Sequence, residues 1–251
     1  ISGKLTVKQA EAFKNNRLHI AKKIVAGIAK NIREILYHYY RHGATELKPI
    51  LDFYKNDVDK LLEKANDINQ VLAIEGKTWA LFYSGFKYFL EEDFIINKRV
   101  KRPPDNPMNA LISFGNTLLY TKTIAEIYQT HLEQSISFLH EPSESRFSLS
   151  LDLSEVFKPV IVYKTIFELV NNKKIKVEKH FNPDVNYSLL NDEGKKVFID
   201  AYENRLNQTI EHPVLNRKIT YKQAIKLDGY KLIKYITEGQ EFTPFYLGDK
   251  K

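Results

Sequence analysis

From Ala10 to Gly43 the chain carries apolar residues at helical intervals, with no proline to interrupt them. Phe13, Ile20, Ile24, Ile28, Ile32, Ile35 and Leu36 recur by threes, fours and a seven, and Gly43 supplies a stop. A long amphipathic helix leaves Lys22, Lys23 and Arg33 on its wetter side. With Gly 10 and Pro 9 in 251 residues, the chain is poor in turn residues, and the class expected is all-α, a multi-helix domain. Ahead of the helix, KLTVKQ at residues 4–9 alternates apolar and polar and reads as a strand end or extended linker.

Further along, a second helix is expected from about Glu46 to Ala65, and Asn66-Asp67 cap a third. That third helix holds Glu75 among Leu72, Ile74, Trp79, Leu81 and Phe82, with Gly76 directly after it. Gly in a helix costs about 1 kcal/mol relative to Ala. It marks either close approach of a backbone or ligand, or a packing notch beside a solvent-facing acid. Residues 98–107, KRVKRPPDNP, cannot be helix interior and form an exposed basic loop. Asn106-Pro107 then starts a helix that is apolar on nearly every side and carries Tyr120.

Pro142, Ser143 and Ser145 place a loop after His140. Phe147 to Leu153 alternates like a strand, but its flanks are helical, and a helix puts Asp152, Glu155 and Lys158 on one face at steps of three. Pro159 should kink or interrupt that helix. Lys173 to Asn186 reads as basic and weakly structured, 192–211 and 220–238 as two helices, and the tail EFTPFYLGDKK as loose.

There is no cysteine, which removes disulfides, thiolate metal sites and thiol nucleophiles and suits a reducing cytoplasm. No run is apolar enough to span a bilayer, and no signal-peptide pattern is present, so no membrane role is expected. The first residues, Ile1-Ser2-Gly3, are not expected to be a natural N-terminus. A formal net charge of +7 fits a polyanionic partner, because Lys and Arg on phosphates release counterions. Many basic proteins nevertheless bind no nucleic acid.

His38 and His42 stand one helical turn apart, a metal-compatible spacing, yet imidazoles at a helix C-terminus are favoured by the dipole and no acid accompanies them. The richer set is Glu75, His140, Asp152 and Glu155. Carboxylates with one imidazole suit Mg2+ or Mn2+, which could polarise a phosphoryl oxygen. Spacing alone does not show that these residues meet.

Four blocks taken together closely resemble one family: IEG at 74–76, KRPPDNPMNALISFGNTLLY at 101–120, FLHEPSESRFSLSLDLSEVFKP at 138–159 and HFN at 180–182. That family is the CRISPR-associated spacer-acquisition integrase, or "Cas one" family. The resemblance implies a helical catalytic domain over residues 10–251, with 1–9 the junction to a small β domain that this chain lacks. It implies a divalent ion, Mg2+ or Mn2+, held by Glu75, His140 and Glu155, with Asp152 supporting the site. Tyr120 would stand near the reacting phosphate and Lys158 close to the metal. Arg99, Lys101, Arg102, Arg146 and Lys158 would contact DNA backbone, which positions without reading sequence. The implied reaction is transesterification, in which a 3′-hydroxyl of a new spacer attacks a phosphodiester of the CRISPR array; cleavage of branched or single-stranded DNA uses the same chemistry. Implied partners are double-stranded and branched DNA, a second copy in a homodimer, and a small ferredoxin-like CRISPR-associated protein ("Cas two").

The sequence departs from the family where Asp-Arg often follows the Phe-Lys-Pro turn; here Tyr163-Lys164 stand instead. Two other readings compete. One is a transposon integrase of the same superfamily. The other is a non-catalytic helical DNA-binding or assembly subunit, which the intact Glu75, His140 and Glu155 argue against.

Overall fold

The computed structural model describes residues 2–96, 98–144, 146–182, 188–212 and 217–248. It is predominantly helical around the expected central helix, α1, which runs Ser2–Arg41. Ile20, Ala21, Ile24, Val25, Ile28, Ile32 and Leu36 are fully buried along it, so much of the chain packs around α1. Its start corrects the sequence reading: residues 4–9 are helical, not extended. The alternation misleads because Leu5 is buried while Val7 is 59% exposed; on a strand both would share a face. The helical register aligns Leu5, Gln9 and Ala12 on the core side. Buried Gln9 donates to the carbonyls of Glu133 and Ile136 (2.8 and 2.9 Å) and accepts from the Glu133 N–H, tying α1 to the connection before His140.

The second expected helix is two, α2 (Lys48–Asn56) and α3 (Val58–Lys64), broken at Asp57. Asp67 caps α4 (Ile68–Ser84), accepting from the Gln70 N–H. The basic loop leads to α5 (Pro107–Tyr128), capped by Asn106 with Pro107 at its first turn. Gly115 lets α5 come close to its neighbours, since an added Cβ would lie 2.6 Å from Val162 and 2.8 Å from Phe198.

Helix α6 (Ser148–Phe157) replaces the strand-like alternation, and nearly all its residues are buried because it packs between α1 and α5. Pro159 then does interrupt the helix. Residues Lys158–Tyr163 form a π-helical turn, which accommodates a residue without an N–H by opening the ladder, before α7 (Lys164–Asn171) resumes.

Past α7 the segment expected to be weakly structured contains a short helix, α8 (Val177–His180), pinned where Lys179 meets Glu193 at 2.6 Å. Residues 183–186 of that segment, and Ser145 of the earlier loop, lie outside the described residues. Helix α9 (Asp192–Asn207) stops four residues before the expected end. The β-prone Thr209 and Ile210 begin a hairpin instead, β1 (Thr209–His212) against β2 (Arg217–Thr220), antiparallel with Thr209 opposite Thr220. Helix α10 (Tyr221–Glu238) opens with a Thr220–Gln223 capping box and closes at left-handed Gly239.

The tail is not loose over its described part. Phe242 and Phe245 are buried, and Phe245 stacks on Phe157 at 5.1 Å between centroids. Its backbone is held by buried side chains: Asp228 accepts the Phe245 N–H (2.8 Å), and Asn31 donates to the Phe245 carbonyl (2.9 Å) and accepts from the Leu247 N–H (2.9 Å). Asn31 also donates to the Val156 carbonyl at 3.0 Å. Residues 249–251 lie outside the described residues.

Candidate active site

Helix α6 and the turn before it are joined through one carboxylate. Asp152 is fully buried, and its Oδ2 accepts from the N–H groups of Phe138 (2.7 Å) and Leu139 (2.8 Å). Its Oδ1 accepts from the His140 N–H (3.0 Å) and pairs with the imidazole Nδ1 (2.8 Å). A carboxylate can only accept, so Nδ1 carries a proton, and in the neutral ring Nε2 keeps its lone pair. Burial pulls His140 down, but the hydrogen bond and charge of Asp152, with the charges of Glu155 and Glu75, outweigh it and hold the imidazole above its ordinary value.

Glu155 lies one turn beyond Asp152 and is buried, with the Lys158 ammonium hydrogen-bonded to its Oε1. Glu75 comes from α4, its Oε1 accepting from the Trp79 indole N–H at 2.8 Å, one turn along. Burial and the neighbouring Glu155 charge raise the Glu75 carboxyl above the usual range, against the opposing pull of His140, Lys158 and the Trp79 hydrogen bond. These charges act on one another because their side chains line one cleft of about 440 Å³, with Arg99 and Lys101 at its basic loop. α4, the loop, the 138–140 turn and α6 each contribute to the wall.

The expected residues divide accordingly. Glu75, His140, Glu155, Lys158, Arg99 and Lys101 share the cleft. Asp152 lies behind His140. Arg99 is held in place, its guanidinium donating to Asn109 Oδ1 (2.9 Å) and Ser113 Oγ (2.7 Å) and to the Val100 carbonyl. Tyr120 is not in the cleft wall; its hydroxyl accepts the Phe147 N–H at 2.9 Å and so holds the approach to α6. Arg102 and Arg146 are exposed outside the wall, Arg146 donating to the Glu141 carbonyl. Gly76 fills no packing notch, because nothing lies within 4 Å of an added Cβ and the residue borders the cleft.

Among the described residues no three His, Cys, Asp or Glu side chains meet closely enough to form a ready-made metal cluster. Each of the three expected ligands is instead engaged by a protein group: Glu75 by Trp79, His140 by Asp152 and Glu155 by Lys158. The donor set still suits a hard divalent cation, being two carboxylates and an imidazole oriented through its other nitrogen. His38 and His42 pack ring to ring at 4.3 Å, and burial, His42 and Lys164 lower His38. They lie away from this cleft; His38 lines a separate cavity of about 670 Å³ with Glu34, Lys164 and Arg205.

Sequence reasoning missed Tyr83, Tyr163 and Asn116, which also line the cleft. Tyr83 was within reach of pattern, since Glu75, Trp79 and Tyr83 follow at steps of four on α4 and share a face. Tyr163 was not, because the π turn resets the helical phase before it.

Residues 1–204 match the family model described as CRISPR associated protein Cas1. A "CRISPR-associated protein Cas1 1" of Methanobrevibacter ruminantium is 44% identical over 98% of this chain and 74% of its own length. A Cas1 protein structure from Thermotoga maritima has a TM-score of 0.80 at 38% identity, covering 94% of this chain and 71% of that one. A casposase bound to integration product has a TM-score of 0.83 at 20% identity, covering all of this chain and 73% of that one, a likeness of fold.

Proposed function

The chain belongs to the CRISPR-associated Cas1 family, and on that footing we propose that it is a divalent-metal-dependent DNA integrase and endonuclease. Its reaction is transesterification, the attack of a DNA 3′-hydroxyl on a phosphodiester of a CRISPR array. The observation that supports this is the gathering of Glu75, His140, Glu155 and Lys158, from segments far apart in sequence, around one cleft with a basic rim.

Glu75, His140 through Nε2, and Glu155 would hold Mg2+ or Mn2+, which when bound supplies Lewis-acid stabilisation of charge at phosphorus. Asp152 keeps the imidazole in the tautomer that leaves Nε2 free. Lys158 neutralises Glu155 and stands ready to share a phosphate charge. Lys101, with Arg99 fixed behind it, guides backbone phosphates to the cleft, and Arg102 and Arg146 extend that contact outside it. Tyr120 serves by holding the segment that enters α6. Double-stranded and branched DNA are the substrates, with a second copy and the small ferredoxin-like protein as partners.

His140→Ala in the full-length protein tests the assignment. Mn2+-dependent strand transfer should fall by about 100-fold or more, as for loss of an essential electrostatic group. Unchanged strand transfer would favour a non-catalytic DNA-binding subunit.

A further inference from the structure

Within the cleft, one pair of groups has a hydrogen-bond donor left over. The Tyr83 and Tyr163 hydroxyls lie 2.9 Å apart, and among the described residues neither has another partner. Two hydroxyls carry two protons, and one bond between them uses one. Tyr163 is fully buried, packed against Trp79 and Phe82, whereas Tyr83 is partly exposed. The buried proton is satisfied only if Tyr163 donates to Tyr83, which leaves the Tyr83 O–H to point outward into the cleft. A hydroxyl that accepts one bond while donating another is the stronger donor. Burial raises both phenols, so they stay protonated and can serve only as hydrogen-bonding groups, not as bases.

The opposite need appears on α5. Asn116 lines the same cleft, and its Oδ1 is buried with no partner among the described residues. An orphaned buried acceptor is destabilising and rare in folded proteins. The cleft wall therefore holds an unspent donor and, beneath its surface, an unfilled acceptor that a turn of the Asn116 amide would bring out. Its ligand must offer both complements, as a phosphodiester oxygen and an attacking hydroxyl do together.

We infer that Tyr83, oriented by Tyr163, donates to a non-bridging oxygen of the target phosphodiester while Asn116 Oδ1 accepts from the attacking 3′-hydroxyl. Neither group transfers a proton. The attacking oxygen forms the new P–O bond, the departing 3′-oxygen leaves with the electron pair of the old one, and the proton of the attacking hydroxyl ends on the leaving oxygen. Tyr83 and Asn116 touch reacting atoms; Tyr163 is a positioning residue. This rests on the integrase reading above.

The test compares Tyr83→Phe, Tyr163→Phe and Asn116→Leu with wild type in single-turnover strand transfer with Mn2+. DNA affinity and thermal midpoint are followed alongside. Tyr83→Phe should slow the step by about 100-fold, the loss of one such donor, with DNA affinity within about twofold. Tyr163→Phe should slow it less, by about 3- to 10-fold, because the donor survives but is no longer oriented. Asn116→Leu should slow the step by about 10-fold or more with the fold intact, and an unchanged rate removes Asn116 from the assignment. Target DNA with a stereodefined phosphorothioate gives a readout that a packing defect would not move. Sulfur accepts poorly, so one isomer should slow wild type, and that discrimination should vanish in Tyr83→Phe. Should Tyr83→Phe be destabilised, the isomer preference should be weaker in Tyr163→Phe than in wild type, because the surviving donor is no longer oriented, and an equal preference in the two overturns the assignment. An active wild type with equal discrimination in all variants overturns this inference alone. A wild type with no strand transfer overturns the integrase reading, and this inference with it.

Discussion

Replacing Asp152 with Asn exchanges one oxygen for an NH2 group and should reverse an imidazole. Four donors converge on Asp152: three backbone N–H groups and the Nδ1–H of His140. An amide offers one oxygen and one NH2. With the oxygen toward Phe138 and Leu139, the NH2 faces His140, whose Nδ1 can become the acceptor if the proton moves to Nε2. One backbone donor, the His140 N–H, is then orphaned at about 1–3 kcal/mol. The reverse orientation orphans two, so the first prevails. Stability should fall by about that amount at neutral pH, and Mn2+ affinity by about 10- to 100-fold, the usual effect of losing the partner behind a ligating His. The loss depends on pH in a fixed sense. Asp152 holds His140 above its ordinary value, so the charged pair stabilises the fold below an imidazole pKa of about 6.5 and is lost as pH rises through the higher folded value. The gap between wild type and Asp152→Asn in metal-free protein should therefore widen as pH falls through that window. Nitrogen-15 NMR of the imidazole, denaturant titrations at several pH values and Mn2+ titration measure the three effects. A retained Nδ1–H tautomer with Mn2+ affinity within twofold of wild type would refute the reasoning.

Two further outcomes follow from other contacts. Lys158→Ala leaves buried Glu155 without its ammonium, so the metal-free fold should lose about 3–5 kcal/mol, the cost of breaking a buried pair. Added Mn2+ should restore more thermal stability in the variant than in wild type, and an equal shift in both would argue against a cation site at Glu155. Asp228→Ala orphans the Phe245 N–H and should cost about 1–3 kcal/mol while opening the segment after Gly239 to protease. Asp228→Asn should cost less, because burial already raises the carboxyl and disfavours its charge. Equal proteolysis of wild type and Asp228→Ala would show that the tail is held elsewhere.

The long apolar repeat from Phe13 to Leu36 makes the central helix legible, and caps at Asp67, Asn106 and Thr220 use local chemistry that sequence carries openly. Residues 4–9 mislead because alternation over six residues fits either period, and the decider is a buried Gln9 that bonds a segment more than 120 residues away. The tail misleads for the same reason: its order comes from Asn31 and Asp228. At the site, the resemblance singles out Glu75, His140 and Glu155, which the fold does bring to one cleft. No pattern reveals Asn116, since an unfilled acceptor is a property of packing, not of spacing.

Asn31 has a consequence for how the molecule bears load. Its single amide fastens the middle of α1 to the carbonyl beside Glu155 and to the backbone of the tail. Load on the tail or on α1 is therefore passed through this amide to α6, one residue from Glu155. The tail thus bears on the position of the cleft side chains although none of its described residues lines the cleft.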